Sequence, residues 1–152
     1  MKHESSKKHE FDELVVVSTA IVLLVAGYDT TGTTLAYCCY QLGKNPDIQD
    51  KLRREIENET DEHEDITYDQ VQSMSYLDQI ISEVLRLHNP ASILQRAANR
   101  DYQFPNTDLF IPKGTGVWIN GAAVHMDPKH YETPEVFNPD HFSKEAKAKR
   151  HP

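Results

Sequence analysis

One stretch near the start of the chain constrains the fold more than any other feature, because it is long and contains no proline. Across residues 9–43 the apolar side chains first follow one side of a helix and then cover its whole circumference. A helix that is apolar on all sides is normally buried, so the pattern predicts one long helix over 9–43 with a buried middle. Its longest apolar run, 14–27, is too short to cross about 30 Å of hydrocarbon, and we expect a core helix here and not a membrane span.

Two further helices are predicted in residues 45–90. Asn45 and Pro46 offer an N-cap followed by proline at the first helical position, ahead of an amphipathic pattern. After an acidic linker, Thr67 and Gln70 have the spacing of a capping box and open another helical pattern. A break is expected near position 75, and the helical character ends before position 90.

Beyond position 90, prolines and glycines punctuate the chain and leave short apolar segments between them. Segments 109–111 and 117–119 have the length and composition of strands in a small sheet. The 152 residues are the size of one ordinary domain. Taken together, these patterns predict a fold that is mainly α with a small β part.

Charge and cysteine usage exclude several classes of protein. The chain has 16 Lys and Arg against 24 Asp and Glu, a net charge of -8, and its basic residues are interspersed with acidic ones, so nucleic acid is not expected as a partner. The only two cysteines, Cys38 and Cys39, are adjacent, which suits neither a disulfide framework nor a chelating CxxC pair and favours a reducing compartment. Residues 2–9 lack the features of a signal peptide and therefore indicate no cellular location.

Motif spacing excludes other activities. The eight histidines include no HxxxH or HExxH pair, so no metal site is predicted from them. Neither GxSxG nor GxGxxG occurs, which argues against hydrolase and kinase chemistry.

The chemically unusual part of the first helix is its middle, where one carboxylate, four threonines and two glycines interrupt a run of Val, Ile, Leu and Ala. Glycine costs a helix about 1 kcal/mol relative to alanine and threonine a few tenths, so a selection other than helix stability is indicated. Such a segment can open a groove for a small ligand and present hydroxyls and a carboxylate there. The alternative is that the threonines bond the preceding carbonyls and the carboxylate is merely solvated. The segment is Ala26-Gly27-Tyr28-Asp29-Thr30-Thr31-Gly32-Thr33-Thr34.

Two more segments stand out. Glu83 and Arg86 lie three residues apart on a predicted helix, a spacing that is commonplace on protein surfaces. Because Arg86 sits just before an apolar helix end, its guanidinium could instead fork onto carbonyls or a distant partner. Segment 134–142 is rich in proline and aromatic residues, which is typical of a packed loop.

These pieces, in this order and with comparable spacing, resemble the cytochrome P450 family of haem-thiolate monooxygenases. Ala-Gly-x-Asp-Thr-Thr at 26–31 is similar to the family's I helix, Glu-x-x-Arg at 83–86 to its K helix, and Pro-x-x-Phe-x-Pro-x-x-Phe at 134–142 to the segment that follows. The resemblance is closest to eukaryotic microsomal members of the xenobiotic-metabolising type. It implies a partial fold with the I helix at 9–43, J to K helices at 45–90, short strands and loops at 91–142 and a truncated tail at 143–152.

The resemblance also implies residue roles. Thr30 would hydrogen-bond dioxygen on the haem iron, and Asp29 would relay protons. Ala26 and Gly27 would line the haem, with Ala26 also facing substrate. The remaining implied residues are Arg96 at a haem propionate, Glu83, Arg86 and His141 in a structural cluster, and Ala91, Ser92 and Ile93 at the border of the substrate pocket.

The implied activity is insertion of one oxygen atom from O2 into a small lipophilic substrate, with electrons from NADPH through cytochrome P450 reductase at the endoplasmic reticulum membrane. Two departures from the family pattern matter. His141 stands where the family usually has arginine, and neither Cys38 nor Cys39 matches the haem-ligating cysteine. We therefore expect a fragment without a membrane anchor that is inactive by itself, with an uncovered apolar patch; the alternative function is a non-catalytic truncated product or interaction module.

Overall fold

The structure is a computed structural model that describes residues 13–60 and 65–149. By its internal contacts the chain divides into two compact units, the first ending at Thr33 and the second beginning at Thr34. The beginning of the predicted first helix, 9–12, part of the acidic linker, 61–64, and the end of the tail, 150–152, lie outside the described residues. The described part is mainly helical with two small sheets, as predicted.

The first helix, α1, is Glu13–Lys44, a continuous element of 32 residues. It continues one residue past Gly43, where the sequence predicted a stop. At 1.5 Å per residue it is roughly 48 Å long.

The prediction of a buried middle for α1 is wrong. Its large apolar side chains between 14 and 25 are exposed, Leu24 by 70% and Ile21 by 55%. The described part of the first unit is this helix alone, and a single helix has no second surface against which to bury its side chains. The expected uncovered apolar patch is therefore present.

The prediction that this region is too short to cross a membrane is also corrected, because it counted only residues 14–27 and not the whole helix. Among the described residues, α1 is the one helix whose length and apolar composition would suffice for a span. Those two properties are shared by buried core helices of larger soluble proteins, so they describe the helix and assign it no location.

Helix α2, Pro46–Glu59, begins with proline at its first position as predicted, but Asn45 does not cap it through its side chain. The Asn45 amide instead donates to the carbonyl oxygen of Gln41 in the last turn of α1, at 2.8 Å.

Helix α3, Tyr68–Ser73, is opened by the predicted capping box between Thr67 and Gln70. Met74 separates it from α4, Ser75–Leu87, which confirms the predicted break.

Four strands follow, joined in two antiparallel pairs. Strand β1, Ile93–Ala97, pairs with β4, Gly116–Asn120, and β2, Tyr102–Gln103, pairs with β3, Phe110–Ile111. The predicted strands at 109–111 and 117–119 correspond to β3 and β4. Two short helices, α5 at Gly121–His125 and α6 at Lys144–Lys149, and a 3₁₀ turn at Pro139–Phe142 complete the described elements.

The core of the second unit lies between α2, α4 and the loop before the 3₁₀ turn. Burial of the apolar stripe of α4 removes hydrocarbon from water and holds these elements together. The buried apolar residues are Leu52, Tyr76, Ile80, Val84 and Phe137. Partly buried side chains of α1 and α2, Cys38 and Leu42 among them, pack against this cluster.

Candidate functional site

The polar segment of α1 lies on an exposed part of the helix. The Thr30 hydroxyl donates to the carbonyl oxygen of Ala26, four residues earlier, at 2.5 Å. The helix is not interrupted at this point. The hydroxyl thus bonds a preceding carbonyl, which is the alternative that the sequence left open. It must rotate away from Ala26 before it can donate to another acceptor.

The surface around this segment is apolar and open. Leu24, Val25, Tyr28 and Asp29 line a shallow groove on the helix. A side chain built at Gly27 would meet no atom within 4 Å, so the backbone can be approached closely there. The segment can therefore present a flat apolar face with one carboxylate and one hydroxyl at its edge.

Arg86, in the last turn of α4, satisfies all five of its N–H groups. Its Nε and Nη2 donate to the two carboxylate oxygens of Glu83, both at 2.8 Å. Nη1 donates to the carbonyl oxygens of His125 at 2.8 Å and Pro134 at 2.7 Å, and Nη2 also donates to that of Val136 at 3.3 Å. The side chain is 1% exposed. Arg86 thereby ties α4 to the end of α5 and to the loop before the 3₁₀ turn.

Glu83 is fully buried, and both of its carboxylate oxygens accept hydrogen bonds. Oε2 accepts from Arg86, while Oε1 accepts from Arg86, from the backbone N–H of Asn138 at 2.9 Å and from Nδ1 of His141 at 3.1 Å. The carboxylate thus accepts four hydrogen bonds, three at Oε1 and one at Oε2, so both oxygens are paired. A buried ion pair with every polar atom paired is the arrangement in which desolvation is offset.

His141 completes this cluster from the 3₁₀ turn. Its Nδ1 faces Glu83, and its Nε2 lies 2.7 Å from the carbonyl oxygen of Glu132. The ring is 9% exposed and stands edge-on to Tyr131, whose ring also lies 4.8 Å from the Arg86 guanidinium carbon. The structure thus brings Glu83, Arg86 and His141 together, and the surface alternative for the Glu83–Arg86 pair is excluded.

The residues predicted to border substrate link α4 to the first sheet. The Ser92 hydroxyl donates to the carbonyl of Asn89, and the Ser92 carbonyl accepts from the N–H of Gly121 at 2.9 Å. Ile93 opens β1 opposite Asn120, and Ala91 is held by its N–H bond to the Asn89 side chain.

Arg96, in the same strand, is exposed and donates to the Gln95 carbonyl. Within residues 13–60 and 65–149, no carboxylate forms an ion pair with Arg96. Its guanidinium is accessible to an anionic group, and its role at a propionate stays a prediction.

Both cysteines have free thiols. Cys38 is half-buried beside the core, and burial, reinforced by Cys39, raises the pKa of its thiol, which disfavours the thiolate that binds iron. No group of three or more potential metal ligands occurs among the residues that the structure describes. The exposed apolar face of α1 and the accessible guanidinium of Arg96 are, each by itself, chemically suited to an apolar ring and to an anionic group.

Sequence reasoning missed two interactions. The Glu55 carboxylate of α2 accepts from the backbone N–H groups of Tyr76 at 2.7 Å and Leu77 at 2.9 Å, and so caps α4 from outside. His88 stacks on Tyr37 with ring centroids 4.0 Å apart, and burial lowers the pKa of its imidazole. No local motif marks either contact, because the partners are distant in sequence.

Comparison with known proteins places the chain in one family. The profile of the cytochrome P450 family matches residues 1–152. The chain is 44% identical over 144 residues to Cytochrome P450 6B7 of Helicoverpa armigera, covering 94% of this chain and 29% of that protein. It is 43% identical to Cytochrome P450 6a2 of Drosophila melanogaster, with 89% and 27% covered, and 41% identical to Cytochrome P450 3A6 of Oryctolagus cuniculus, with 90% and 27% covered. The chain thus spans less than a third of the length of these relatives.

Proposed function

The chain belongs to the cytochrome P450 family, and on that premise we propose that it is part of a haem-dependent monooxygenase. It would contribute the oxygen-facing helix, α1, and the buried ion pair between Glu83 and Arg86. The haem, when bound, would supply the activation of O2 for insertion of one oxygen atom into a small lipophilic substrate. Electrons would come from NADPH through cytochrome P450 reductase at the endoplasmic reticulum membrane.

The observation that carries this proposal is the Asp29–Thr30 pair beside Gly27 on an otherwise apolar, exposed helix face. Asp29 would take a proton from solvent and Thr30 would pass one on after its hydroxyl leaves the Ala26 carbonyl. Ala26 would line the haem and the substrate, and the bare backbone at Gly27 would allow close approach.

The second unit would contribute its own residues to haem and substrate binding. The accessible Arg96 guanidinium would pair with a haem propionate by a charge-assisted hydrogen bond. Ala91, Ser92 and Ile93, fixed by the hydrogen bonds of the α4 to β1 connection, would border the substrate pocket. Glu83, Arg86 and His141 would hold the core around them.

The test is a chimera in which this chain replaces the matching 144 residues of Cytochrome P450 6B7. We expect the reduced chimera to give, with carbon monoxide, the Soret band of a thiolate-ligated haem and to support NADPH-dependent substrate oxygenation. Within it, Thr30→Ala should lower coupled product formation on the order of 10²-fold, because a positioned proton donor is lost. Thr31→Ala is the matched control and should change little.

Two results would contradict this assignment. Failure of the chimera to bind haem while the parent relative does so would refute the family role of the segment. Equal activity of the Thr30→Ala and unsubstituted chimeras would refute the role of the hydroxyl and leave the family role standing.

A second candidate function, a non-catalytic product or interaction module, is favoured by the raised pKa of the Cys38 thiol and the exposed apolar face of α1. The carbon monoxide difference spectrum of the 152-residue chain itself separates the two. A thiolate-type band from this chain would exclude the second candidate, and its absence beside an active chimera would support it for this polypeptide.

A further inference from the structure

We propose that Gln41 and His88 form a clasp with a fixed hydrogen-bond direction, in which the Gln41 amide donates to a neutral His88 ring whose proton lies on Nδ1. The clasp joins the end of α1 to the residue that caps the C-terminal end of α4. Protonation of the imidazole opens it. Both residues belong to the second unit, so the inference does not depend on haem binding.

Two contacts hold the His88 ring against α1. Its Nε2 lies 2.8 Å from the side-chain nitrogen of Gln41. The ring also stacks on Tyr37, with an angle of 2° between the two planes. Gln41 is buried, and a buried contact between two nitrogens is favourable only if one donates and the other accepts.

The neighbouring Asn45 fixes the direction of this hydrogen bond. The backbone carbonyl oxygen of Gln41 can only accept, so the Asn45 atom that lies 2.8 Å from it is the amide nitrogen, Nδ2. The same nitrogen lies 3.4 Å from the side-chain oxygen of Gln41. Gln41 therefore turns its oxygen to Asn45 and its NH2 group to His88. Because an amide NH2 group can only donate, Nε2 of His88 must accept, which leaves the ring proton on Nδ1.

A protonated ring is incompatible with this arrangement. The imidazolium carries an N–H at both nitrogens and has no lone pair with which to accept. Its Nε2–H would face the NH2 group of Gln41, donor against donor. Rotation of the Gln41 amide by half a turn would present its oxygen to the ring, but its NH2 group would then face the NH2 group of Asn45. One of the two contacts is lost in either orientation.

The charged groups around the ring do not favour its protonation. Of the titratable side chains on the adjoining helix turns, Tyr37 stacks on the ring and Glu83 pairs with Arg86. Within residues 13–60 and 65–149, no carboxylate forms an ion pair with His88. Burial lowers the pKa of the His88 imidazole, in agreement with a neutral ring in the folded chain. The titratable side chains on these turns are Tyr37, Cys38, Cys39, Tyr40 and Lys44 of α1 and Glu83 and Arg86 of α4, and residues 89–92 contain none.

The consequence is a junction that loosens in acid. Histidine in an unfolded chain takes up its proton at about pH 6.5, whereas in the folded chain protonation also costs the clasp. The stability that the clasp contributes is therefore fully present above about pH 6.5 and is lost as the pH falls. His88 is followed directly by Asn89, whose side chain and carbonyl hold Ala91 and Ser92, so acid should also loosen this connection.

The test replaces the Gln41 amide by a carboxylate in the full chain, because Gln41→Glu keeps the shape of the side chain but can accept from a protonated ring and from Asn45 alike. Each protein is compared with its own His88→Phe counterpart, so that all other titrating groups cancel. We expect the unfolding equilibrium constant of the unsubstituted chain, from urea titrations, to rise about two- to tenfold relative to His88→Phe as the pH is lowered from about 7.5 to about 5.5, which corresponds to one hydrogen bond.

In Gln41→Glu the sign should be reversed, and its unfolding equilibrium constant should fall relative to that of Gln41→Glu with His88→Phe over the same pH range. Gln72→Glu is the matched control, because it adds the same charge at an exposed position of α3 and should leave the pH dependence of the unsubstituted chain unchanged. If Gln41→Glu shows the same loss of stability in acid as the unsubstituted chain, the proposal is wrong.

A direct measurement remains informative if a variant fails to fold. In the ¹⁵N-labelled unsubstituted chain at about pH 8, Nδ1 of His88 should have the chemical shift of an N–H nitrogen and Nε2 that of a nitrogen with a lone pair. A ring proton on Nε2 in the folded chain overturns the proposal.

Discussion

Replacing Arg86 by lysine keeps the positive charge but removes the planar fork, and the structure allows the cost to be worked out. Arg86 makes five hydrogen bonds to oxygen, two to Glu83 and three to backbone carbonyls. Lysine has three donors on one nitrogen and cannot reach oxygens spread around the edge of the planar guanidinium. At least two of the five bonds from the charged group are lost, each contributing about 1.5–3 kcal/mol, so Arg86→Lys should lower the free energy of unfolding by about 3–6 kcal/mol.

The chain contains a matched control for this experiment. Arg53 pairs with Asp50 at the same helical spacing as Arg86 with Glu83, but these side chains are 56% and 53% exposed. Exposed ion pairs contribute about 0–1 kcal/mol, so Arg53→Lys should change the free energy of unfolding by less than about 0.5 kcal/mol. Urea unfolding followed by far-ultraviolet circular dichroism measures both. If Arg86→Lys cost no more than Arg53→Lys, the argument from donor geometry and burial would be refuted.

Two further perturbations test contacts that join distant parts of the chain. Glu55→Gln should lower the free energy of unfolding by about 1 kcal/mol, because the charged acceptor at the start of α4 is lost. Glu57→Gln removes the same charge from an exposed position of α2 and should have little effect on the urea midpoint. Equal effects of the two substitutions would rule out capping by Glu55. His88→Phe keeps a ring against Tyr37 but removes an imidazole whose pKa in the folded chain is lowered by burial. The unsubstituted chain should therefore lose stability as the pH falls below 6.5, and this loss should be absent from the variant. Urea midpoints at neutral and acid pH measure the loss, and an unchanged loss in the variant would contradict the prediction.

The sequence predicted elements well where the signal was local. Proline at the first position of α2, the Thr67–Gln70 box and the break at Met74 follow from contacts within four residues, and the structure has each of them. Such patterns act over one helical turn and need no knowledge of the fold.

Prediction failed where burial depended on a partner surface. The circumference of α1 is apolar and was expected to be covered, yet its side chains between 14 and 25 are exposed in the described structure. An apolar pattern indicates that burial of a surface would lower the free energy, but it does not identify the residues that bury it.

For the candidate site, too, the sequence was sufficient for one conclusion and not for another. The order of the Asp29–Thr30 segment, the Glu83–Arg86 pair and the 134–142 segment was sufficient to indicate the cytochrome P450 family, which the match over residues 1–152 confirms. The roles of the individual residues in haem and substrate binding stay predictions.

Sequence by itself therefore determined the helical segments α1 to α4, the capping box of α3, the mainly α class and the family. Only the tertiary structure decided that the Glu83–Arg86 pair is buried, that Glu55 caps α4 and that His141 bridges two acceptors. The partners of Arg86 and His141 lie as far as 50 and 58 residues away in the chain, and such contacts form only after the intervening loops have closed. The sequence specifies the chemistry of each side chain, whereas the fold determines which hydrogen-bond acceptors it contacts.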